Sequence, residues 1–194
     1  MKLLHLSWED VQRLSEKLAE KVRRSGFRPE LIVAIGRGGF VPARILCDLL
    51  EVKELASMEV EYYKDIEERG EEPRVIHPLN ADVEDRYVLV VDDVSDSGRS
   101  LQLAVNQILQ KRPKVLRVAT LHYKPWSACQ PDFFAEETEA WVIYPWEVFE
   151  SARSFFRKLR REGLSCSEVR ERLLALNFRE EDIEALLKED DTRN

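Results

Sequence analysis

The chain has 194 residues, a formal net charge of −7 at pH 7 and a hydrophobic content of 44%. This length suits one domain with an appendage, and the hydrophobic residues are sufficient to fill a core. The acidic excess argues against a general nucleic-acid-binding protein, because such proteins usually carry a basic surface that neutralises phosphates. No apolar run approaches the roughly 20 residues that cross a bilayer, and the three cysteines lack metal or disulfide spacing. We therefore expect a soluble cytoplasmic protein without a membrane partner.

The first half of the chain alternates helical and strand patterns. Apolar residues three or four positions apart predict a surface helix at 7–26, and the continuous apolar run 31–35 predicts a buried strand. Glycines at 36–39 separate this strand from a helical pattern that ends near Leu50. The glycines suit either a tight turn without a ligand or an anion site, and Arg37 among them favours the anion.

The next segment combines a strand pattern with a charged stretch. Residues 55–63 alternate enough to predict a second strand. Residues 64–80 are charged, contain one glycine and two prolines, and lack periodicity, which predicts a long mobile excursion. Such loops are often lids over active sites, although a solvated structural hairpin is a nearly equal alternative here.

The run Tyr87–Val91 predicts the central strand. An acidic and small polar loop follows it, then a helix at about 100–111 and another strand at 115–121. This alternation predicts an α/β fold with a mostly parallel twisted sheet flanked by helices. Ligands of such sheets bind beyond the carboxyl ends of the strands, so the loop after Val91 is the first candidate for chemistry.

The remaining segments are less specific. Residues 141–144 have strand character, and their aromatic residues are either core, which composition favours, or a stacking platform for a planar ligand. Beyond Glu150 we expect a basic helix ending near Gly163, a helix capped by Ser165 and Glu168, and a further helix. The basic stretch is either a surface for an anionic partner or, more commonly, a solvated helix face.

Two motifs together resemble the type I phosphoribosyltransferases. Residues 90–100, Val-Val-Asp-Asp-Val-Ser-Asp-Ser-Gly-Arg-Ser, resemble their motif for phosphoribosyl pyrophosphate (PRPP), and residues 36–39 are similar to their pyrophosphate loop. Lys124-Pro125 with the later segment 141–147 is similar to the base site of the xanthine-guanine and hypoxanthine enzymes. The resemblance implies a type I phosphoribosyltransferase fold.

The resemblance also implies a domain organisation. It divides the chain into a core at 1–152, with a small hood and mobile loop at about 62–82, and a C-terminal helical extension at 153–194. In the mobile loop, Tyr62-Tyr63 stands where many relatives carry Ser-Tyr.

For PRPP, the resemblance assigns roles along the central motif. Asp92 and Asp93 would meet the ribose hydroxyls and the water shell of Mg²⁺, which prefers such hard oxygen ligands. Asp96 would also manage the proton of the purine imidazole, as the catalytic residue. The residues that would surround the 5′-phosphate are Asp96, Ser97, Gly98, Arg99 and Ser100. The alternative for the acidic pair Asp92 and Asp93 is that they cap the start of the following helix.

At the pyrophosphate loop, Arg37, Gly38 and Gly39 would bind pyrophosphate, largely through backbone amides. Glycine lacks the Cβ that would obstruct a close backbone approach, which accounts for two glycines after the arginine. The family often has a non-proline cis peptide bond in this loop, and the bond following Arg37 is the candidate.

For the base, Lys124 would donate to a 6-oxo group, Trp141 would stack on the purine and the Val142 backbone would read its edge. Glu147 would help to hold a second Mg²⁺. A lysine ammonium group donates hydrogen bonds but cannot accept them, so Lys124 favours hypoxanthine, guanine or xanthine over adenine.

The expected function is a magnesium-dependent transfer from PRPP to a 6-oxopurine in purine salvage, by a homodimer or homotetramer. One alternative is the same transfer to another base. The other is a PRPP-sensing regulator that binds nucleic acid through the basic helix after Ser151, and the acidity of the chain argues against it.

Overall fold

The structure is a computed structural model that describes residues 2–64 and 71–191. Its elements, in chain order, are β1 Leu3–His5, α1 Trp8–Arg24, β2 Leu31–Gly36, α2 Phe40–Leu49, β3 Glu54–Lys64, β4 Glu71–His77, β5 Tyr87–Ser95, α3 Arg99–Leu109, β6 Val115–Tyr123, β7 Phe133–Glu137, β8 Trp141–Ile143, α4 Val148–Arg161, α5 Cys166–Ala175 and α6 Glu180–Asp191. Within the described ranges, no helix is long and apolar enough to span a membrane.

A six-stranded sheet with the order β4-β3-β2-β5-β6-β7 organises residues 9–139. Neighbouring strands are parallel except β3 and β4, which confirms the predicted fold class. The two central strands are buried because helices cover both of their faces. Leu31 and Val33 share a core with Ala104 of α3, while α2 packs against β2 and β5 from the other side.

For residues 64–80, strand β4 favours the hairpin alternative over an irregular excursion. Residues 71–77 pair antiparallel with β3, and Val75 packs against the core. Backbone hydrogen bonds to a neighbouring strand do not require a regular apolar pattern, so an edge strand can form from a charged sequence. The backbone of Tyr62 and Tyr63 belongs to β3, whereas their side chains and residues 65–70 lie outside the described part. The mobile-loop assignment stays a prediction.

Strand β5 is longer than predicted. It continues from Val91 to Ser95, so both residues of the acidic pair lie in the strand rather than in the following loop. The reason is β6, whose residues through Tyr123 pair in register with this extension. Strand β7 at the sheet edge was not predicted, since its five residues lack a strong alternating pattern.

Residues 1–8 and 140–194 form a second compact unit. Its two-stranded parallel sheet pairs β8 with β1, a strand that was not predicted. Helices α4, α5 and α6 surround an apolar core that includes Ile143, Phe156 and Phe178. The predicted capping box is present, because Ser165 and Glu168 exchange side-chain and backbone hydrogen bonds. The unit therefore contains β8 together with the predicted C-terminal extension.

Candidate active site

Two adjacent carboxylates lie near the carboxyl end of β5. Asp93 is 8% exposed and Asp92 is half-buried. The backbone N–H of Asp93 donates to Asp92 Oδ1 at 2.9 Å, and that of Val94 donates to Asp93 Oδ1 at 2.7 Å. Burial, reinforced by the charge of Asp93, raises the pKa of Asp92 well above its usual value. A cation placed beside this pair would relieve the repulsion.

The glycine loop lies directly against this acidic pair. A Cβ atom at Gly38 would overlap the carboxylate of Asp93. A Cβ atom added at Gly39 would lie 2.6 Å from the carbonyl oxygen of Ile35, which is closer than Cβ atoms approach other heavy atoms in real proteins. The structure thus joins two motifs that are more than fifty residues apart in sequence, and the absence of side chains allows the contact.

The loop contains a non-proline cis peptide bond between Gly36 and Arg37. The prediction that the bond following Arg37 is cis is therefore wrong by one position. Glycine flanks Arg37 on both sides, so residue type offers the same steric freedom to either bond and could not distinguish them.

Beyond β5, the loop 96–98 leads into the N-terminus of α3. Asp96 and Ser97 are exposed, and Gly98, the residue before α3, has a φ of 76°, which favours glycine. Arg99 is exposed and Ser100 is half-buried. The first N–H groups of a helix and nearby hydroxyls are suited to binding a phosphate, as the sequence predicts for this loop.

Lys124 follows β6 and lies close to this loop. It is 3% exposed, and its backbone N–H donates to the carbonyl oxygen of Ser95 at 3.0 Å. Burial lowers the pKa of its ammonium group, and the negative charge of Asp96 partly opposes that change. The structure therefore brings together the predicted proton-handling carboxylate and the predicted oxo-group donor.

Trp126 is a residue of this site that the sequence did not single out. Its indole Nε1–H donates to Asp96 Oδ1 at 3.0 Å, and the Lys124 ammonium group lies 5.6 Å from the centre of its ring. The available signal was its position two residues after Lys124, but an exposed tryptophan after a proline is not distinctive by itself.

The other predicted base-site residues belong to the second unit, 1–8 and 140–194. Trp141 is 48% exposed, and its ring meets the edge of Phe155 at a centroid distance of 6.4 Å. Val142 is buried. Glu147 precedes α4 and accepts a hydrogen bond from the backbone N–H of Tyr144 at 3.3 Å. Their contacts with a purine or a metal stay predictions.

The carboxylates of Asp92 and Asp93 fit Mg²⁺ by their chemistry. Mg²⁺ is usually bound through one or two carboxylates, several waters and substrate phosphates rather than by an all-protein cage. In residues 2–64 and 71–191, no group of three or more His, Cys, Asp or Glu side chains could hold a metal ion. A cation here would therefore share its coordination with the substrate.

Comparison with known proteins assigns the family. The phosphoribosyl transferase domain matches residues 6–152. The chain belongs to the phosphoribosyltransferase family. It is 30% identical over 156 residues to a xanthine-guanine phosphoribosyltransferase of Ruegeria sp. (strain TM1040), covering 74% of this chain and 85% of that relative.

Two solved structures resemble this phosphoribosyltransferase. A purine phosphoribosyltransferase from Pyrococcus horikoshii has a TM-score of 0.68 and 35% identity, covering 75% of this chain and 94% of its own. A hypothetical protein from Neisseria gonorrhoeae with bound ppGpp has a TM-score of 0.69 and 30% identity, covering 76% of this chain and 90% of its own. The family match includes every predicted site residue, whereas α5 and α6 lie beyond it.

Proposed function

We propose that this phosphoribosyltransferase transfers the phosphoribosyl group of PRPP to hypoxanthine, guanine or xanthine. The products are a nucleoside 5′-monophosphate and pyrophosphate, formed in purine salvage in the cytoplasm. The observation that carries the proposal is the proximity of Lys124 and Asp96. They lie at the loop 96–98, which is of a kind that suits phosphate binding. Trp126 contacts both of them. The similarity to purine and xanthine-guanine enzymes supports the same substrate class.

The acidic pair and the glycine loop would hold the two ends of the breaking bond. Asp92 and Asp93 would orient the ribose hydroxyls and stabilise the positive charge that develops on the sugar. Arg37 and the amides near Gly38 would hold the departing pyrophosphate. Mg²⁺, when bound at the carboxylates, would supply positive charge that neutralises the pyrophosphate oxygens.

Two side chains would act on the base. Asp96 would accept the proton that the imidazole nitrogen releases as the bond to the sugar forms. Lys124 would donate to the 6-oxo group, and an ammonium group cannot accept from the 6-amino group of adenine. Three further roles are part of the proposal. Trp141 would stack on the base, and the backbone of Val142 would contact its edge. Glu147 would help to hold a second Mg²⁺.

The test is turnover with PRPP and Mg²⁺ against hypoxanthine, guanine, xanthine, adenine, uracil and orotate. We expect product with at least one 6-oxopurine and none with the other three bases. Lys124→Met should lower kcat/KM for the 6-oxopurine by about 10–100-fold, since a hydrogen bond to a charged group contributes about 1.5–3 kcal/mol. The exposed Lys111→Met is the matched control and should retain full activity. Transfer to uracil or orotate, with no transfer to a 6-oxopurine, would overturn the substrate assignment.

The structure offers little support for the nucleic-acid-binding alternative. Two cations of α4 are already paired with acidic side chains of α6, Arg153 with Glu189 at 2.9 Å and Arg160 with Asp190 at 3.0 Å. A gel-shift assay with DNA and RNA at several salt concentrations is the direct check, and we expect no salt-dependent complex.

The oligomeric state is a separate proposal. Family resemblance supports a homodimer or homotetramer, and the mass of the full chain in solution would decide it by light scattering. A monomer at micromolar concentration would contradict the proposal.

A further inference from the structure

Within residues 9–139, hydrogen bonds connect the loop that follows β6 to the end of β5 and the loop that follows it. We call residues 124–129 the β6 loop and residues 95–98 the β5 loop. Backbone and hydroxyl groups connect them at separations of 2.7–3.0 Å: Lys124 N–H to Ser95 O, Ala128 N–H to Ser97 O, Ser95 Oγ to Ser127 Oγ, and Ser95 Oγ–H to Cys129 O. These bonds hold the backbone of the β6 loop in one position relative to Asp96.

Trp126 belongs to the β6 loop and is an exposed residue. The side chain is 56% exposed, so burial of apolar surface does not account for its position. Its polar atom is nevertheless engaged, because Nε1–H donates to Asp96 Oδ1 at 3.0 Å. The ammonium group of Lys124 lies 5.6 Å from the centre of the Trp126 ring, within the range of a cation–π interaction. One side chain therefore contacts both groups that the proposed reaction uses on the base.

The chemistry of the indole suits the orientation of a carboxylate. An indole N–H can donate but not accept, which suits a carboxylate oxygen as its partner. It occupies one oxygen and leaves the second available for the base. An exposed aspartate without such a donor would populate several rotamers, and only some of them would face the imidazole nitrogen.

We propose that Trp126 is a positioning residue for the transfer reaction. Its indole N–H holds the Asp96 carboxylate in the orientation that accepts the purine proton, and its ring supports the ammonium group of Lys124. This inference rests on the proposed function. It goes beyond that function by assigning a role to a side chain that does not itself need to contact the base.

The kinetic test uses Trp126→Phe, which removes the N–H donor and keeps an aromatic ring under Lys124. We expect kcat/KM for the 6-oxopurine to fall about tenfold, which corresponds to about 1.4 kcal/mol. The loss should appear in kcat, with KM for PRPP and the melting temperature unchanged. Trp8→Phe is the matched control, because Trp8 is similarly exposed at 59% and lies in the other unit.

A double-mutant cycle distinguishes positioning from a general structural effect. If Trp126 acts through Asp96, then adding Trp126→Phe to Asp96→Ala should change kcat/KM by less than about twofold. Independent losses that multiply in the double variant would overturn the proposal. So would full activity of Trp126→Phe, which would mean that the exposed hydrogen bond contributes nothing to the reaction.

A second measurement does not depend on activity. In protein labelled with ¹⁵N-tryptophan, the indole N–H resonance that disappears in Trp126→Phe belongs to Trp126. Asp96→Ala should shift this resonance, whereas Trp8→Phe should leave it in place. An unmoved resonance would overturn the contact itself. If the resonance moves but wild-type protein transfers to no base, the proposed function fails while the contact stands, so the two failures are distinguishable.

Discussion

At the scale of single residues, the candidate site contains charges that are unfavourable for the folded chain. Asp92 is half-buried next to Asp93, and its pKa is raised by burial and by that neighbouring charge. The folded chain consequently binds this proton more tightly than the unfolded chain. Ionising Asp92 thus lowers the free energy of unfolding as pH rises from about 4, the ordinary aspartate value, through the higher folded-state pKa.

Replacing this charge should stabilise the free protein. We expect Asp92→Asn to raise the melting temperature by about 2–4 °C at pH 8, which corresponds to about 1 kcal/mol for a chain of this size. The difference should shrink as pH is lowered toward about 4, the ordinary aspartate value, because the wild-type carboxyl group takes up a proton over that range. Thermal unfolding of both proteins across this pH range, without Mg²⁺, measures the effect. A variant that is less stable than wild type at pH 8 would contradict it.

At the scale of elements, the site depends on loops that approach one another closely. Gly98 has a φ of 76°, and an added Cβ would collide with the backbone nitrogen of Cys129 and lie 2.5 Å from Ser127 Oγ. Gly26 has nearly the same φ, 78°, but nothing lies within 4 Å of the added atom. Comparing the same substitution at the two glycines therefore distinguishes the cost of backbone strain from the cost of disturbing the contact between the loops.

Alanine at Gly98 should be more damaging than alanine at Gly26. We expect Gly26→Ala to cost about 1 kcal/mol from the positive φ alone. Gly98→Ala should cost at least about 1 kcal/mol more and raise KM for PRPP, because the β5 loop must move away from the β6 loop. Chemical denaturation gives the free energies of unfolding, and steady-state kinetics give KM. Equal destabilisation by the two substitutions would show that the loops are not packed as the structure has them.

At the scale of the whole molecule, each of the two compact units has its own apolar core. In the unit formed by 1–8 and 140–194, Phe178 is 3% exposed and packs near the rings of His5 and Phe155. The helices beyond the family match are thus built around the strands of this unit rather than forming a solvated tail. This core is therefore an integral part of the folded chain.

Truncating the central aromatic residue of this core should destabilise the protein strongly. We expect Phe178→Ala to cost about 3–5 kcal/mol, the range for removing a buried phenylalanine side chain. Leu109→Ala, at a position that is 50% exposed, is the control and should cost well under that amount. Urea denaturation measures both. A loss below about 1 kcal/mol for Phe178→Ala would mean that the core is not packed as described.

Local patterns determined much of this protein. Continuous apolar runs mark β2 and β5 as buried strands, glycines and acidic residues mark the loops, and Ser165 with Glu168 marks a helix start. These signals act within a few residues, which is why a single sequence predicts the α/β class and the family motifs. Pairing with distant partners decided the rest. Strand β4 forms on β3, β5 extends beside β6, and β1 joins β8, because backbone hydrogen bonds across strands can outweigh local propensity.

The same division applies to the candidate site. The sequence by itself determined which residue types are available: an acidic pair, a glycine loop, a lysine after the next strand. Only the tertiary structure decided that Gly38 contacts Asp93 and that Trp126 joins Asp96 to Lys124. Such contacts depend on the register and length of neighbouring strands, which bring residues far apart in the chain to the same edge of the sheet.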